Sequence, residues 1–238
     1  MAERPDVERL TAPNPGPMTL AGTNTYVVGR DPAVVIDPGP KDAGHIEAIR
    51  EVTEARGGIG AVLLTHGHSD HRGAAGALGV APERPGDGET VAGLRALATP
   101  GHAEDHLCFV LDRVCFTGDL VLGEGSSIVP TRELGGSLRD YMRSLRRLAE
   151  LALELIYPGH GPVVENPPAK LAEYIAHREE RHRRLESALE RGERSRAALV
   201  AEVWDDVPDQ LRGAAAVAMQ AHLEMLEDDG RLPGDLRD

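Results

Sequence analysis

An α/β (α+β) architecture in two parts is what the sequence predicts: a mixed domain over residues 1–167, then a small helical domain over residues 168–238. Three observations predict it. Up to Pro167, short β-type runs alternate with stretches of helical periodicity, the pattern of sheets covered by helices. The apolar run Ala61-Val62-Leu63-Leu64 is unbroken rather than alternating, as in a strand buried on both faces. After Pro167-Pro168 the strand signals stop and the chain turns charge-dense and helical. With 238 residues, 41% hydrophobic and 27% charged, the chain is ample for a core of that size.

In chain order, Thr25-Tyr26-Val27-Val28 and Ala33-Val34-Val35-Ile36 read as strands, split by the turn signal Gly29-Arg30-Asp31-Pro32. Asp42 sits where an N-cap belongs, ahead of a helix over His45–Ala55 that stops at Gly57-Gly58. The strand at 61–64 follows, then a helix near Arg72–Leu78 and a Pro/Gly/Asp-rich loop over Val80–Thr90. Leu107–Leu111 and Val114–Thr117, joined by Asp112-Arg113, form a hairpin. Ser137–Leu155 reads as a helix with Leu138, Tyr141, Leu145, Leu148 and Leu151 on one stripe. Beyond the boundary at Pro167, helices are expected at Ala169–Leu189, Arg196–Trp204 and Arg212–Asp228, and no internal repeat is evident.

Composition excludes several classes. No apolar run approaches the about 18 residues of a membrane span, and Met1-Ala2-Glu3-Arg4-Pro5 lacks the apolar core of a signal peptide. Cys108 and Cys115 cannot form a disulfide framework, so packing thiols in a reducing, cytoplasmic compartment are expected. The net charge of −13 repels polyanions, and with only 3% aromatic residues there are few platforms for stacking single-stranded bases.

Chemistry concentrates after the buried strand, in Thr65-His66-Gly67-His68-Ser69-Asp70-His71. Three imidazoles and a carboxylate at that density suit zinc, manganese or iron. His66 and His68 can converge on one ion, and Asp70 and His71 can serve a second. Ligand-type residues also follow glycines at Gly101-His102, Gly118-Asp119 and Gly159-His160. His45, His182 and His222, isolated on helices, read as structural.

With these four motifs on one chain, the sequence resembles the metallo-β-lactamase superfamily, whose H-x-H-x-D-H signature stands here as His66, His68, Asp70 and His71. The resemblance implies that His66, His68 and His102 hold a first metal, that Asp70, His71 and His160 hold a second, and that Asp119 bridges them. It also implies a four-layer αβ/βα sandwich with the metals at one edge, and two divalent ions, zinc before manganese or iron. Gly22-Thr23-Asn24-Thr25-Tyr26, Gly118-Asp119 with Leu122-Gly123-Glu124-Gly125-Ser126, and Ile156-Tyr157-Pro158-Gly159-His160-Gly161-Pro162 resemble the lactamase-beta-2-like branch, as does Lys170 with Tyr174–Arg178. That branch carries a winged-helix-like C-terminal domain, which matches the break at Pro167, and includes an endoribonuclease acting on single-stranded RNA.

The implied activity is a binuclear hydrolase using a metal-bridging hydroxide, with Asp70 catalytic in orienting the nucleophile or carrying its proton. Single-stranded RNA is one expected substrate, and the alternative is a small carbonyl compound, a glyoxalase-II-like thioester or another ester, lactone or β-lactam. Asp37, at a strand end, is expected to orient ligand histidines. His106 is expected either to touch substrate or to line the hairpin. Arg178 and Arg181, three apart on the tail helix, are expected either to reach substrate phosphates or to belong to a solvated, ion-paired face. Only 30 residues separate His71 from His102, so the mouth of the site is trimmed relative to the branch. No membrane partner is expected, and the oligomeric state stays open between monomer and homo-oligomer.

Overall fold

The computed structural model describes residues 5–236, so the leader reading of Met1–Arg4 lies outside the described residues. The chain forms two compact units, each assembled from separate segments. The first comprises the chain up to Thr99 with Asp105–Ser126 and Leu151–Pro167, and the second comprises Pro100–Glu104, Ser127–Glu150 and the chain from Pro168.

Two mixed five-stranded sheets build the first unit. One is ordered β1 (Val7–Thr11), β2 (Asn24–Val28), β3 (Ala33–Ile36), β4 (Ile59–Leu63), β5 (Pro82–Glu83). Its first two pairings are antiparallel and its last two parallel. The other contains β6 (Thr90–Val91), β7 (Leu94–Ala98), β8 (Leu107–Leu111), β9 (Val114–Gly118) and β10 (Leu155–Pro158), ordered 10-9-8-7-6, with β10 parallel to β9 and the rest antiparallel. Because successive side chains on a strand point to opposite faces, alternate residues share one interior. Tyr26, Ile36 and Leu63 of the first sheet pack with Leu94, Phe109, Phe116 and Leu155 of the second. Tyr26 meets Phe116 edge-on, with ring centroids 5.3 Å apart. On its other face the first sheet offers Val35 and Val62, which are covered by Ile46 and Ile49 of α1 (Ala43–Glu54) with Ala74, Ala75 and Leu78. Asp42 caps α1, accepting from His45 N at 2.8 Å.

Several elements differ from the expectation. β1 (Val-Glu-Arg-Leu-Thr) and β7 (Leu-Arg-Ala-Leu-Ala) carry no run of β-branched residues, and neither was expected as a strand. Where one helix was expected near 72–78, there is a single turn, α2 (Ser69–Arg72), and a 3₁₀ turn at Ala75–Ala77. The helix expected to reach Leu155 is α3 (Leu138–Ala149), capped by Ser137. Leu151, Leu153 and Leu155 fit a helical stripe and a strand equally well, and the parallel pairing of Leu155 with Val114 selects the strand. Cys108 and Cys115 are buried and unbridged on β8 and β9.

The second unit is helical: α3, α4 (Pro167–Glu190), α5 (Arg196–Val203) and α6 (Arg212–Asp228). Its core joins Leu185 and Leu189 of α4, Leu199 and Val203 of α5, and Met219 and Leu223 of α6 around Trp204. His222, on α6, is buried there between Trp204 and His182, with ring centroids at 5.6 and 5.4 Å. No helix among the described residues is long and apolar enough to cross a membrane.

Candidate metal centre

In the first unit the ligand-type residues collect at one end of the strands. β3 ends at Ile36 just before Asp37, β4 leads through Leu64-Thr65 to His66, β9 ends at Gly118 just before Asp119, and β10 ends at Pro158 two residues before His160. Asp37 has a left-handed φ of +49°, a conformation that Asp tolerates better than most residues. That turn sends its carboxylate inward, where it is almost fully buried. There Oδ1 accepts from Thr65 N at 2.7 Å, while Oδ2 accepts from Thr65 Oγ1 at 2.6 Å and from His71 Nδ1 at 2.8 Å.

These bonds assign tautomers. A buried carboxylate only accepts, so His71 carries its proton on Nδ1 and turns Nε2 to the site. The single Thr65 hydroxyl proton goes to Asp37, so Thr65 Oγ1 must accept from His66 Nδ1 at 3.0 Å, leaving His66 Nε2 inward as well. His68 Nδ1 lies 2.9 Å from that nitrogen. Asp37 thus fixes the orientation of two candidate ligand histidines, His71 directly and His66 through Thr65.

His71 Nε2 is buried without a hydrogen bond and faces Asp119 Oδ1 at 3.4 Å and Asp70 Oδ2 at 3.6 Å. His160 Nε2 lies 3.4 Å from each of the same two oxygens, its Nδ1 held by the Gly22 carbonyl at 3.2 Å. Such separations are long for hydrogen bonds but suit atoms converging on a common cation. Asp70, His71 and His160 form one potential three-ligand group, and His66, His71 and Asp119 another, with ligand atoms within 4.8 Å of one another in each. Gly159 leaves room for them, since a Cβ there would lie 2.5 Å from Asp119 Oδ1 and 2.7 Å from His71 Cε1. Donor chemistry, the stranded His71 nitrogen and the glycine cradle all fit a divalent metal.

The electrostatics agree. Burial opposes the charged form of His71, yet the Asp119 and Asp37 carboxylates hold its pKa well above the usual histidine value. Burial likewise lowers His160, but the Asp119 and Asp70 carboxylates raise it to about 9. Burial would raise both acids, and the two imidazoles outweigh it, so Asp70 lies below and Asp119 well below the normal range. Protons here stand where a cation would.

Residues beyond the expected ligands hold the centre in shape. The Asn24 amide donates to the Pro158 carbonyl at 3.0 Å and the Gly161 carbonyl at 2.9 Å, while Asn24 N donates to Gly159 O at 2.8 Å. Tyr26 OH adds a bond to Pro158 O at 2.7 Å. The Thr-Asn-Thr-Tyr stretch thus clamps the loop of His160, a role its sequence did not disclose. His106 is buried, hydrogen-bonded to Thr99 Oγ1 at 2.9 Å and stacked on His66 at 5.2 Å, so it lines the interior.

Three site candidates lie in the second unit. His102 Nδ1 is 2.8 Å from the Ile128 carbonyl and 3.3 Å from Ser127 Oγ, which directs its other nitrogen away from these partners. Arg178 and Arg181 are each 4% exposed. Arg178 donates to the Ser127 carbonyl and lies over the Tyr141 ring at 5.3 Å. Arg181 donates to the Val203 carbonyl and pairs with Asp206, over the Trp204 ring at 5.7 Å. Both guanidiniums are engaged inside the helical unit.

The chain matches the profile of the Metallo-beta-lactamase superfamily over residues 18–82 and 80–160, and that of the Beta-lactamase associated winged helix domain over 195–232. It is 38% identical to the lactamase-like protein adaB of Aspergillus niger, over 95% of this chain and 81% of that protein. It is 36% identical to an atrochrysone carboxyl ACP thioesterase of Passalora fulva, over 86% of this chain and 72% of that one. Among solved structures it resembles the metallo-beta-lactamase family protein TTHA1429 of Thermus thermophilus, with a TM-score of 0.77, 25% identity and 94% of each chain covered.

Proposed function

The chain belongs to the metallo-beta-lactamase superfamily, a hydrolase with the α/β two-sheet fold and a winged-helix domain, and on that premise we propose that it hydrolyses thioesters at a binuclear metal centre. The observation that carries the metal reading is the buried His71 Nε2, which makes no hydrogen bond and faces two carboxylates. His66, His68 and His102 would hold one ion, Asp70, His71 and His160 the other, with Asp119 between them; zinc is the first choice. Divalent ions in such a site supply an activated water and polarise the scissile bond.

The chain's own residues do the rest. Asp37 keeps His66 and His71 in the ligating tautomer, and Asn24 keeps the His160 loop in place. Asp70, whose side chain is 29% exposed, is the carboxylate that water can reach. It orients the attacking water and takes its proton as oxygen adds to the thioester carbonyl; the C–S bond then breaks and the thiol leaves with a proton. The thioester is favoured over RNA by three supports: the relative named as an ACP thioesterase, the net charge of −13, and the internal engagement of Arg178 and Arg181.

The test is hydrolysis by the zinc-loaded protein of an S-acyl-N-acetylcysteamine, the matching oxygen ester, a lactone, a β-lactam and single-stranded RNA. The expected result is the highest kcat/KM on the thioester, with Asp70→Asn lowering kcat while the protein keeps its fold. Cleavage of RNA without cleavage of the thioester would overturn the substrate reading.

A further inference from the structure

The second unit contains a cavity of about 380 Å³ between α3, α4 and α6, within the usual range for small-molecule sites. Half of its ten lining residues are arginines, against a single carboxylate, Glu179. In a chain of 26 basic and 39 acidic residues that wall has the opposite sign to the whole. Its apolar part is Leu138 and Met142 of α3 with Met225 of α6.

Arg143 and Arg146 stand three apart on α3 and so lie on the same side of the helix. Their side chains are 70% and 55% exposed, and they pair with Asp140 at 3.0 Å and Glu179 at 2.9 Å. Ion pairs this exposed are weak and exchange readily. Asp140 lies outside the lining, so a ligand anion can take the Arg143 fork without meeting that carboxylate in the cavity. Arg178 is different: it is a buried cation in the wall, fixed by the Ser127 carbonyl and the Tyr141 ring. Guanidinium forks match the oxygens of carboxylates and phosphates, and the methionines suit a flexible apolar chain.

We propose that this cavity binds a small amphipathic anion, with its head on Arg143 and Arg146 and its apolar body on Leu138, Met142 and Met225. The site lies within the second unit, and the proposal rests on neither the metal centre nor the thioesterase reading. The head group is a carboxylate or a phosphate monoester.

Calorimetric titration of the full-length metal-loaded protein with decanoate, decyl phosphate, decanol and inorganic phosphate tests it. One equivalent of decanoate or decyl phosphate should bind per chain, and the tighter of the two identifies the head group. R143A/R146A should weaken that binding at least tenfold, while Asp119→Ala, aimed at the metal centre, should leave it unchanged. Absence of binding by both anions, binding untouched by R143A/R146A, or loss of binding in Asp119→Ala would overturn the proposal. So would decanol or inorganic phosphate binding as tightly as the amphipathic anions, because then head or body goes unused.

Discussion

Replacing Asp37 by Asn changes a few atoms and should disable ligands in both metal sets. Asn also tolerates the left-handed φ of +49°, so the backbone is kept. Its oxygen must take the Oδ1 place, because Thr65 N donates there at 2.7 Å. The amide NH₂ then occupies the Oδ2 place and donates to His71 Nδ1, 2.8 Å away, forcing the proton of His71 onto Nε2. It also donates to Thr65 Oγ1, whose own proton turns to His66 Nδ1 and reverses that imidazole too. A protonated nitrogen cannot ligate. Hydrogen bonds to a charged group contribute about 1.5–3 kcal/mol, and about 1.4 kcal/mol is tenfold in affinity. The expected loss is therefore about 10- to 100-fold per set, the scale seen when a metal ligand loses its supporting carboxylate. Zinc competition against a chromophoric chelator, with circular dichroism to confirm the fold, measures it. Thr65→Val separates the two paths: it cuts the relay to His66 and leaves the His71 bond, so one ion should weaken and the other persist. Unchanged affinity for both ions in folded Asp37→Asn would refute the tautomer argument.

Three further outcomes are expected. His71 and His160 have raised pKa values, the latter about 9, so the metal-free protein holds protons there at neutral pH and must release them to bind metal. Apparent affinity should therefore fall as the pH drops below about 9; calorimetry in buffers of different ionisation enthalpy should show proton release near pH 7. Gly159→Ala places a methyl against Asp119 and His71, and should lower metal affinity at least tenfold in protein that still folds; full affinity would refute the cradle. Asn24→Ala removes both amide bonds to the His160 loop and should cost about 1–3 kcal/mol in denaturant unfolding, with weaker metal binding; an unchanged unfolding midpoint would count against the clamp.

The candidate ligands are legible because ligand chemistry is local: four short motifs, each at the end of a strand, carry it. Five strands, the Asp42 cap and the tail helices are legible for the same reason, since period and cap are short-range signals. β1 and β7 are not, because their residues are ordinary and only pairing makes them strands. The end of α3 is hidden by leucines that satisfy two periods at once. What Asn24, Thr65 and His106 do depends on partners up to 137 residues away in sequence. For Arg178 and Arg181, charge density left a solvated, ion-paired face and a substrate contact both open, whereas carbonyls at Ser127 and Val203 draw both inward.

The interleaving of segments also has a consequence for how the chain is made. His102 lies in a five-residue segment whose neighbours are synthesised later: Gly101 accepts from Ser137 N at 2.9 Å, Pro100 accepts from Ser144 Oγ at 2.8 Å, and Ser127, beside His102, is held by Arg178. A nascent chain emerging from the ribosome therefore possesses His66, His68 and His71 long before it can seat His102. The N-terminal sheet can form early, but this histidine waits until Arg178 has been made. Premature termination between Asp119 and α4 would thus yield a protein with most of its candidate ligands and an unanchored one among them, a product for cellular proteolysis rather than a smaller enzyme.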